Sequence, residues 1–150
     1  MEIERKFLLA ALPERMDTGT RIEQGYLALD PAGAEVRVRR KGSKTLMTVK
    51  TGRGLVRGEE EFPIEGDLFA RLWPMTEGRR VVKTRHLVPA GAFTAEVDVY
   101  EGELAGLLTA EVEFPDEAAA RAFAPPGWLG SDVTGDPRYA NQALAVNGRP

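Results

Sequence analysis

Charged and apolar side chains alternate in segment after segment of this chain, and this alternation constrains the fold more than any other feature of the sequence. A period of two is typical of a β-strand with two different faces, because successive side chains of a strand point to opposite sides. Turn-forming stretches such as Asp30-Pro31-Ala32-Gly33 separate the alternating segments. The pattern predicts eight strands, at residues 2–8, 21–29, 35–41, 45–51, 56–64, 80–88, 94–100 and 108–114.

Three further segments carry helical signals. Asp116 is a capping residue in front of an alanine-rich stretch, and Pro137 occupies a first-turn position after Asp136. With short turns between the strands, these signals predict an α+β, mainly β fold: a closed or nearly closed eight-stranded antiparallel sheet with flanking α-helices. One such domain accounts for the whole chain, residues 1–150. The predicted helices cover residues 67–75, 116–123 and 137–146.

One face of the predicted strands is ionic and the opposite face is apolar. The pattern alone leaves two interpretations open: the ionic face lies in solvent, as in many antiparallel sheets, or it lines the inside of a barrel. The ionic face comprises Glu2, Glu4, Lys6, Arg37, Arg39, Lys50, Arg57, Glu59, Glu61, Lys83, Arg85, Glu96, Asp98, Glu111 and Glu113.

Charges of one sign occur in pairs within a strand, for example Glu111 with Glu113 and Arg37 with Arg39. Like charges two positions apart on one face repel each other, so such pairs are stable only beside opposite charges or in good solvent. An interior with separated acids and bases suits a ligand that combines a polyanion with metal cations, because acids hold the metal and bases hold the phosphates. The paired charges therefore favour an ionic face that lines the inside of a barrel, and they predict that it binds a triphosphate with Mg²⁺ or Mn²⁺.

Composition excludes several other classes of protein. The chain has no cysteine and a single histidine, His86, which excludes disulfides, a thiolate nucleophile and multi-histidine metal sites. Any metal is then held by oxygen, which favours hard ions. The net charge of −3 and the lack of a basic stretch exclude a duplex nucleic-acid partner. The apolar run at residues 7–12 is too short to cross a membrane, so a cytoplasmic protein without a membrane partner is expected.

An ordered series of motifs resembles the CYTH superfamily, also called triphosphate tunnel metalloenzymes. The resemblance implies a closed eight-stranded tunnel with the charged face inside, and it extends over nearly the whole chain. The matching motifs are Glu2-Ile3-Glu4-Arg5-Lys6, Gln24-Gly25-Tyr26-Leu27, Arg37-Val38-Arg39, Thr48-Val49-Lys50, residues 57–64, Lys83-Thr84-Arg85, Glu96-Val97-Asp98, Glu111-Val112-Glu113, Trp128-Leu129-Gly130, Val133-Thr134-Gly135-Asp136, Tyr139 and Asn141.

The resemblance also implies a role for each residue of the ionic face. Catalysis is assigned to Glu4, Lys50 and Lys83, with the choice of the lysine that assists the leaving group left open. A register slip within Glu59-Glu60-Glu61 is also left open, because it would turn Glu60 inward. Metal binding falls to Glu2, Glu4, Asp98, Glu111 and Glu113; phosphate binding to Lys6, Tyr26, Arg37, Arg39, Lys50, Lys83 and Arg85; and support of the tunnel to Arg57, Glu59, Glu61 and Glu96.

The predicted function is metal-dependent hydrolysis of a triphosphate-containing small molecule, with one or two Mg²⁺ or Mn²⁺ ions as cofactor. Inorganic tripolyphosphate is the favoured substrate, because a chain of 150 residues has little beyond the tunnel with which to recognise a base, thiamine or RNA. An organic triphosphatase, a class IV-type adenylyl cyclase and a polyphosphate-binding module without turnover remain alternatives, and a homodimer is left open.

Overall fold

The computed structural model describes residues 3–51 and 58–150, which form an eight-stranded antiparallel sheet flanked by three short α-helices. The strands follow one another in the order β1-β8-β7-β6-β2-β3-β4-β5. They are β1 (Ile3–Leu8), β2 (Thr20–Leu29), β3 (Glu35–Lys41), β4 (Lys44–Thr51), β5 (Gly58–Pro63), β6 (Arg80–Ala90), β7 (Phe93–Tyr100) and β8 (Leu108–Phe114); the helices are α1 (Gly66–Leu72), α2 (Glu117–Ala122) and α3 (Asn141–Asn147).

All eight predicted strands are confirmed, and two of the three predicted helices are each divided into a 3₁₀ turn and an α-helix. Trp73–Thr76 forms a 3₁₀ turn after α1, and Pro137–Tyr139 forms another before α3. Proline has no N–H to donate and its ring clashes with the preceding turn, so Pro74 cannot continue α1. None of the described helices is long and apolar enough to cross a membrane.

The hydrophobic core lies on the outer face of the sheet, where α2 covers strands β1, β8 and β7. Phe7, Val97 and Val112 are fully buried there, beneath Ala120 of α2 and Leu129. Burying this face leaves the opposite, ionic face of the same strands turned to the inside of the curved sheet. The prediction that the two faces differ is therefore confirmed, and the ionic face is the inner one.

A second apolar cluster closes one end of the inner face. Tyr26, Val81 and Tyr100 lie on β2, β6 and β7, and α3 packs Leu144 and Ala145 against them. All five side chains are buried. Charged side chains on the inner face thus give way to apolar side chains towards α3, and the apolar cluster fills this end of the sheet.

A closed barrel is not confirmed, because β1 and β5 are the two ends of the sheet and no pairing between them occurs among the described residues. The edge of β1 that faces away from β8 is paired with residues 130–134 instead. The N–H of Leu8 donates to the carbonyl oxygen of Ser131 (2.9 Å), and the N–H of Val133 donates to that of Lys6 (2.8 Å). A strand has only two edges, so over Lys6–Leu8 none remains for β5.

Gly130 lies where this C-terminal segment comes closest to β1. Its N–H donates to the carbonyl oxygen of Leu8 (2.9 Å), and a Cβ atom at Gly130 would collide with that oxygen. We expect Gly130→Ala to lower the free energy of unfolding by about 1–3 kcal/mol, because the backbone must shift to admit the methyl group.

Urea denaturation of Gly130→Ala beside Gly127→Ala measures this effect. A Cβ atom at Gly127 would meet nothing within 4 Å, so that variant controls for the loss of a glycine. Equal stability of the two variants would show that residues 130–134 are not held against β1 in solution.

Candidate active site

The inner face of the sheet encloses a cavity of about 600 Å³. Strands from both ends of the sheet contribute to it, together with the segment that leads into α3. The lining residues are Glu4, Lys6, Gln24, Arg37, Arg39, Lys50, Glu59, Glu61, Lys83, Arg85, Glu96, Glu111, Glu113, Val133, Thr134, Gly135, Asp136, Pro137, Tyr139, Ala140 and Asn141.

Carboxylates face one another across strands on the side of the cavity formed by β1, β8 and β7. Glu4 lies directly opposite Glu113, and Glu96 lies opposite Glu111. Like charges in such cross-strand pairs destabilise a sheet unless a cation neutralises them. Lys6 lies 3.6 Å from Glu111, whereas none of the ion pairs among the described residues involves Glu113. Glu113, with Glu4 directly opposite it, is therefore a candidate ligand for a metal cation.

Basic side chains from β3 form part of the opposite side. The Nε atoms of Arg37 and Arg39 are both buried and have no hydrogen-bond acceptor among the described residues. Burial and the neighbouring charge of Arg37 lower the pKa of Arg39, which Glu61 at 3.7 Å only partly offsets. A buried donor without an acceptor costs free energy, and so does a buried pair of like charges. Both costs are relieved when an anion occupies the cavity.

Lys83 and Arg85 of β6 share one counter-ion, Asp98 of β7. Asp98 Oδ2 accepts from Lys83 Nζ (2.8 Å) and from Arg85 Nη2 (3.0 Å), while Oδ1 accepts from Arg85 Nε (2.9 Å). Burial raises the pKa of Asp98, but Lys83 and Arg85 outweigh it and hold that pKa below its ordinary value. Asp98 is fully buried and does not line the cavity, whereas both of its partners do.

Asp98 also determines a pH dependence of stability. A group whose pKa is lower in the folded than in the unfolded chain stabilises the fold above its unfolded value, about 3.9 for Asp, and this contribution disappears as the pH falls through the folded value. We expect denaturation of the wild type between about pH 6 and about pH 3 to show a loss of stability that Asp98→Asn lacks. If the stability of the wild type and of Asp98→Asn falls in parallel as the pH is lowered, the lowered pKa of Asp98 is contradicted.

Tyr26 is another predicted ligand residue that lies outside the cavity. It is fully buried in the apolar cluster at the closed end, and its hydroxyl accepts a hydrogen bond from Gln24 Nε2 (2.8 Å). Burial raises the pKa of Tyr26. Gln24 itself lines the cavity, so Tyr26 lies behind the lining and holds a side chain that belongs to it.

The register of β5 resolves the alternative at the three consecutive acids. Glu59 and Glu61 lie opposite Lys50 and Thr48 of β4 and line the cavity, whereas Glu60 does not. Thr48 Oγ1 donates to Glu61 Oε2 (2.8 Å). Residues 59 and 61 are thus the inward pair, as the alternation predicts.

The segment before α3 contributes lining residues to which no role was assigned from the sequence. Thr134, Asp136, Tyr139 and Asn141 belong to it, and Lys6 Nζ donates to the carbonyl oxygen of Tyr139 (2.6 Å). The motif series that includes residues 133–136, 139 and 141 was the available signal. Their contact with β1 is long-range, and no local pattern reveals it.

The donor set on the acidic side fits a hard divalent cation. The described residues contain no group of three or more acidic or histidine side chains that would by itself hold a metal, and Glu2 lies outside the described residues. Mg²⁺ is usually held by one or two carboxylates together with substrate phosphates, which matches the opposed Glu4–Glu113 pair. The residues present therefore fit Mg²⁺ or Mn²⁺ with a phosphate ligand.

Comparison with known proteins identifies the family. No protein-family model matches the chain. Over 148 residues, 97% of each chain, it is 47% identical to the inorganic triphosphatase of Nitrosomonas europaea. The chain belongs to the inorganic triphosphatase family. A second member, from Acetivibrio thermocellus, is 40% identical over 149 residues, which are 97% of this chain and 94% of that protein.

Solved structures agree with this family and with the predicted CYTH-type fold. A crystal structure of an inorganic triphosphatase superposes with a TM-score of 0.84 at 42% identity, covering 100% of this chain and 97% of that one. A Hippeastrum adenylyl cyclase homologue with a dominant triphosphatase activity has a TM-score of 0.58 at 14% identity, over 81% of this chain and 83% of that chain, and shows the fold alone.

The structure of this inorganic triphosphatase family member brings twelve of the predicted site residues to the cavity. Asp98 and Tyr26 lie behind the lining, and Glu2 and Arg57 lie outside the described residues. The individual roles of these residues stay predictions. The twelve are Glu4, Lys6, Arg37, Arg39, Lys50, Glu59, Glu61, Lys83, Arg85, Glu96, Glu111 and Glu113.

Proposed function

We propose that this chain is a Mg²⁺- or Mn²⁺-dependent inorganic triphosphatase that hydrolyses tripolyphosphate to pyrophosphate and phosphate. The observation that carries the proposal is the division of one cavity into opposed carboxylates on β1 and β8 and buried arginines on β3 whose Nε atoms lack acceptors. The first two relatives, both inorganic triphosphatases, support the choice of reaction.

The basic strands would bind the phosphate chain. Arg37 and Arg39 offer planar groups of N–H donors, and Lys6 and Lys50 offer point charges. The finer proposal is that β5, which carries Glu59 and Glu61, moves to the exposed end of β1 near Glu4 and closes the sheet into a tunnel. Residues from both of these strands already border the same cavity.

The acidic strands would hold the metal, with Glu4 and Glu113 as ligands and Glu2 and Glu111 beside them. When bound, Mg²⁺ or Mn²⁺ supplies charge neutralisation at the phosphate oxygens. We assign no metal ligation to Asp98, because Lys83 and Arg85 already occupy both of its oxygens.

Hydrolysis itself requires little more than positioning and charge neutralisation. A water oxygen attacks a terminal phosphorus, the bond from that phosphorus to the bridging oxygen breaks, and pyrophosphate leaves. Glu4, on the acidic side of the cavity, would take the proton from the water. Lys83 keeps N–H donors beyond the one that it gives to Asp98, and either Lys83 or Lys50 can stabilise the charge on the leaving oxygen.

The lining favours an inorganic substrate over a nucleotide. Tyr139 is the sole aromatic residue among the described lining residues, and the end of the cavity near α3 is sealed by the apolar cluster. A nucleobase bound to protein is usually stacked on aromatic rings, and among the described lining residues Tyr139 alone offers one. A bare phosphate chain needs only the ionic groups that are present.

Phosphate release from tripolyphosphate, ATP, GTP, thiamine triphosphate and pyrophosphate, each with Mg²⁺ or Mn²⁺, tests the proposal. We expect tripolyphosphate to be the preferred substrate, Glu4→Gln to lose most of the activity, and excess EDTA to abolish it until metal is added back. Glu117→Gln is the control, since Glu117 lies on α2 and is paired only with Arg121 in solvent.

Other results would identify the alternative functions. Pyrophosphate released from ATP without phosphate indicates a cyclase, and tripolyphosphate binding without phosphate release indicates a binding module. Full activity in excess EDTA at neutral pH would refute metal dependence.

A further inference from the structure

Asp98 is the most completely enclosed acid of the site. It is fully buried, its two oxygens accept three hydrogen bonds of 2.8–3.0 Å, and all three come from Lys83 and Arg85. A cation that approached either oxygen would have to displace a lysine or an arginine. The neighbouring inward acids Glu4, Glu111 and Glu113 differ, because they line the cavity themselves.

The two cations that Asp98 holds do line the cavity. Arg85 lies directly opposite Asp98 across the β6–β7 ladder and presents Nε and Nη2 to it, while its Nη1 lies 2.9 Å from Glu96. Lys83 lies two residues further along, with its Nζ 5.5 Å from the centre of the Tyr100 ring. Asp98 and the Tyr100 ring restrict Lys83, and Asp98 and Glu96 restrict Arg85.

Fixing cations before the substrate arrives reduces the ordering cost of binding. Lys83 carries three N–H donors and Arg85 carries five, so each retains donors after its contacts with Asp98. A carboxylate behind them holds these donors in place without itself occupying space where phosphate oxygens would lie.

We propose that Asp98 is a positioning residue, not a metal ligand: it holds Lys83 and Arg85 in the arrangement that binds the triphosphate chain. This inference rests on the proposed function, since it assumes that the cavity binds tripolyphosphate. It predicts that loss of the Asp98 charge weakens binding of the phosphate chain and leaves binding of the metal intact.

The test measures the two affinities separately on the full chain. Mn²⁺ binding without substrate is followed by electron paramagnetic resonance, and tripolyphosphate binding with Ca²⁺ or without metal is followed by calorimetry. For Asp98→Asn we expect tripolyphosphate affinity to fall tenfold or more, by analogy with the cost of losing one charged contact, and Mn²⁺ affinity to stay within about threefold of the wild type. Glu113→Gln should show the reverse pattern, with a larger loss of Mn²⁺ affinity than of tripolyphosphate affinity.

A combined variant, Lys83→Met with Asp98→Asn, keeps the proposal testable if Asp98→Asn alone unfolds, because it removes one buried charge of each sign. The combined variant is compared with Lys83→Met alone: if Asp98 is not a metal ligand, the two proteins bind Mn²⁺ with affinities within about threefold of each other, and because Arg85 also loses its carboxylate, the combined variant binds tripolyphosphate more weakly than Lys83→Met. Circular dichroism and thermal unfolding establish that each variant is folded.

Two results would overturn the inference. One is a loss of Mn²⁺ affinity in Asp98→Asn with tripolyphosphate affinity unchanged, which would make Asp98 a ligand. The other is no change in either affinity. If the wild type itself fails to bind tripolyphosphate, the proposed function fails, and this outcome is distinguishable because it does not depend on any variant.

Discussion

Glu113→Gln is expected to lower the rate of tripolyphosphate hydrolysis by on the order of 100-fold or more, as does loss of a preorganised electrostatic contact in other enzymes. Glu113 and Glu4 face each other directly across β1 and β8, and no basic side chain of the described residues pairs with Glu113. Glutamine has nearly the same shape but no charge, so the variant removes half of the opposed pair while preserving the fold. Steady-state phosphate release measures the effect.

The same substitution has an opposite effect on the metal-free protein. Removing one of two facing carboxylates relieves their repulsion, so Glu113→Gln without metal should be at least as stable as the wild type. Glu117→Gln serves as the control for both measurements, because its carboxylate is exposed on α2. Wild-type activity in Glu113→Gln would show that the Glu113 carboxylate is not required for hydrolysis.

Arg39→Met is expected to abolish most activity and to raise the melting temperature of the free protein. The guanidinium is partly buried beside Arg37, its Nε has no acceptor, and these surroundings lower its pKa. A side chain that binds substrate but lowers the stability of the substrate-free protein is an example of a trade-off between stability and activity. Methionine keeps an aliphatic side chain but has no charge, so Arg39→Met should lower the activity and raise the melting temperature of the free protein.

Thermal unfolding and the Michaelis constant for tripolyphosphate test the two halves of this prediction. Arg121→Met is the matched control, since Arg121 is exposed on α2 and pairs with Glu117 away from the cavity. A variant of Arg39 that is less stable and retains its affinity for tripolyphosphate would show that Arg39 supports the fold and does not bind substrate.

The strands and their inward faces could be predicted because both depend on local information. A period of two fixes which side chains share a face wherever the register holds, and Glu59 and Glu61 point inward for this reason. The helix ends were less predictable. Pro74 and Pro137 each form a 3₁₀ turn next to an α-helix.

Features that depend on distant parts of the chain could not be predicted. Nothing local to β1 indicates that residues 130–134 pair with its free edge over Lys6–Leu8. Alternation correctly places Asp98 on the inner face, whereas Tyr26 was predicted from the family resemblance alone. It does not reveal that longer side chains enclose Asp98 or that α3 covers Tyr26, because both follow from neighbouring elements.

The central claim is that this ionic cavity hydrolyses inorganic tripolyphosphate, and phosphorus nuclear magnetic resonance of the reaction with Mg²⁺ tests it most directly. The account predicts that the tripolyphosphate signals disappear while phosphate and pyrophosphate appear in equal amounts, and that Glu113→Gln suppresses both products together. Unchanged tripolyphosphate signals with the folded, metal-supplied wild type would contradict it.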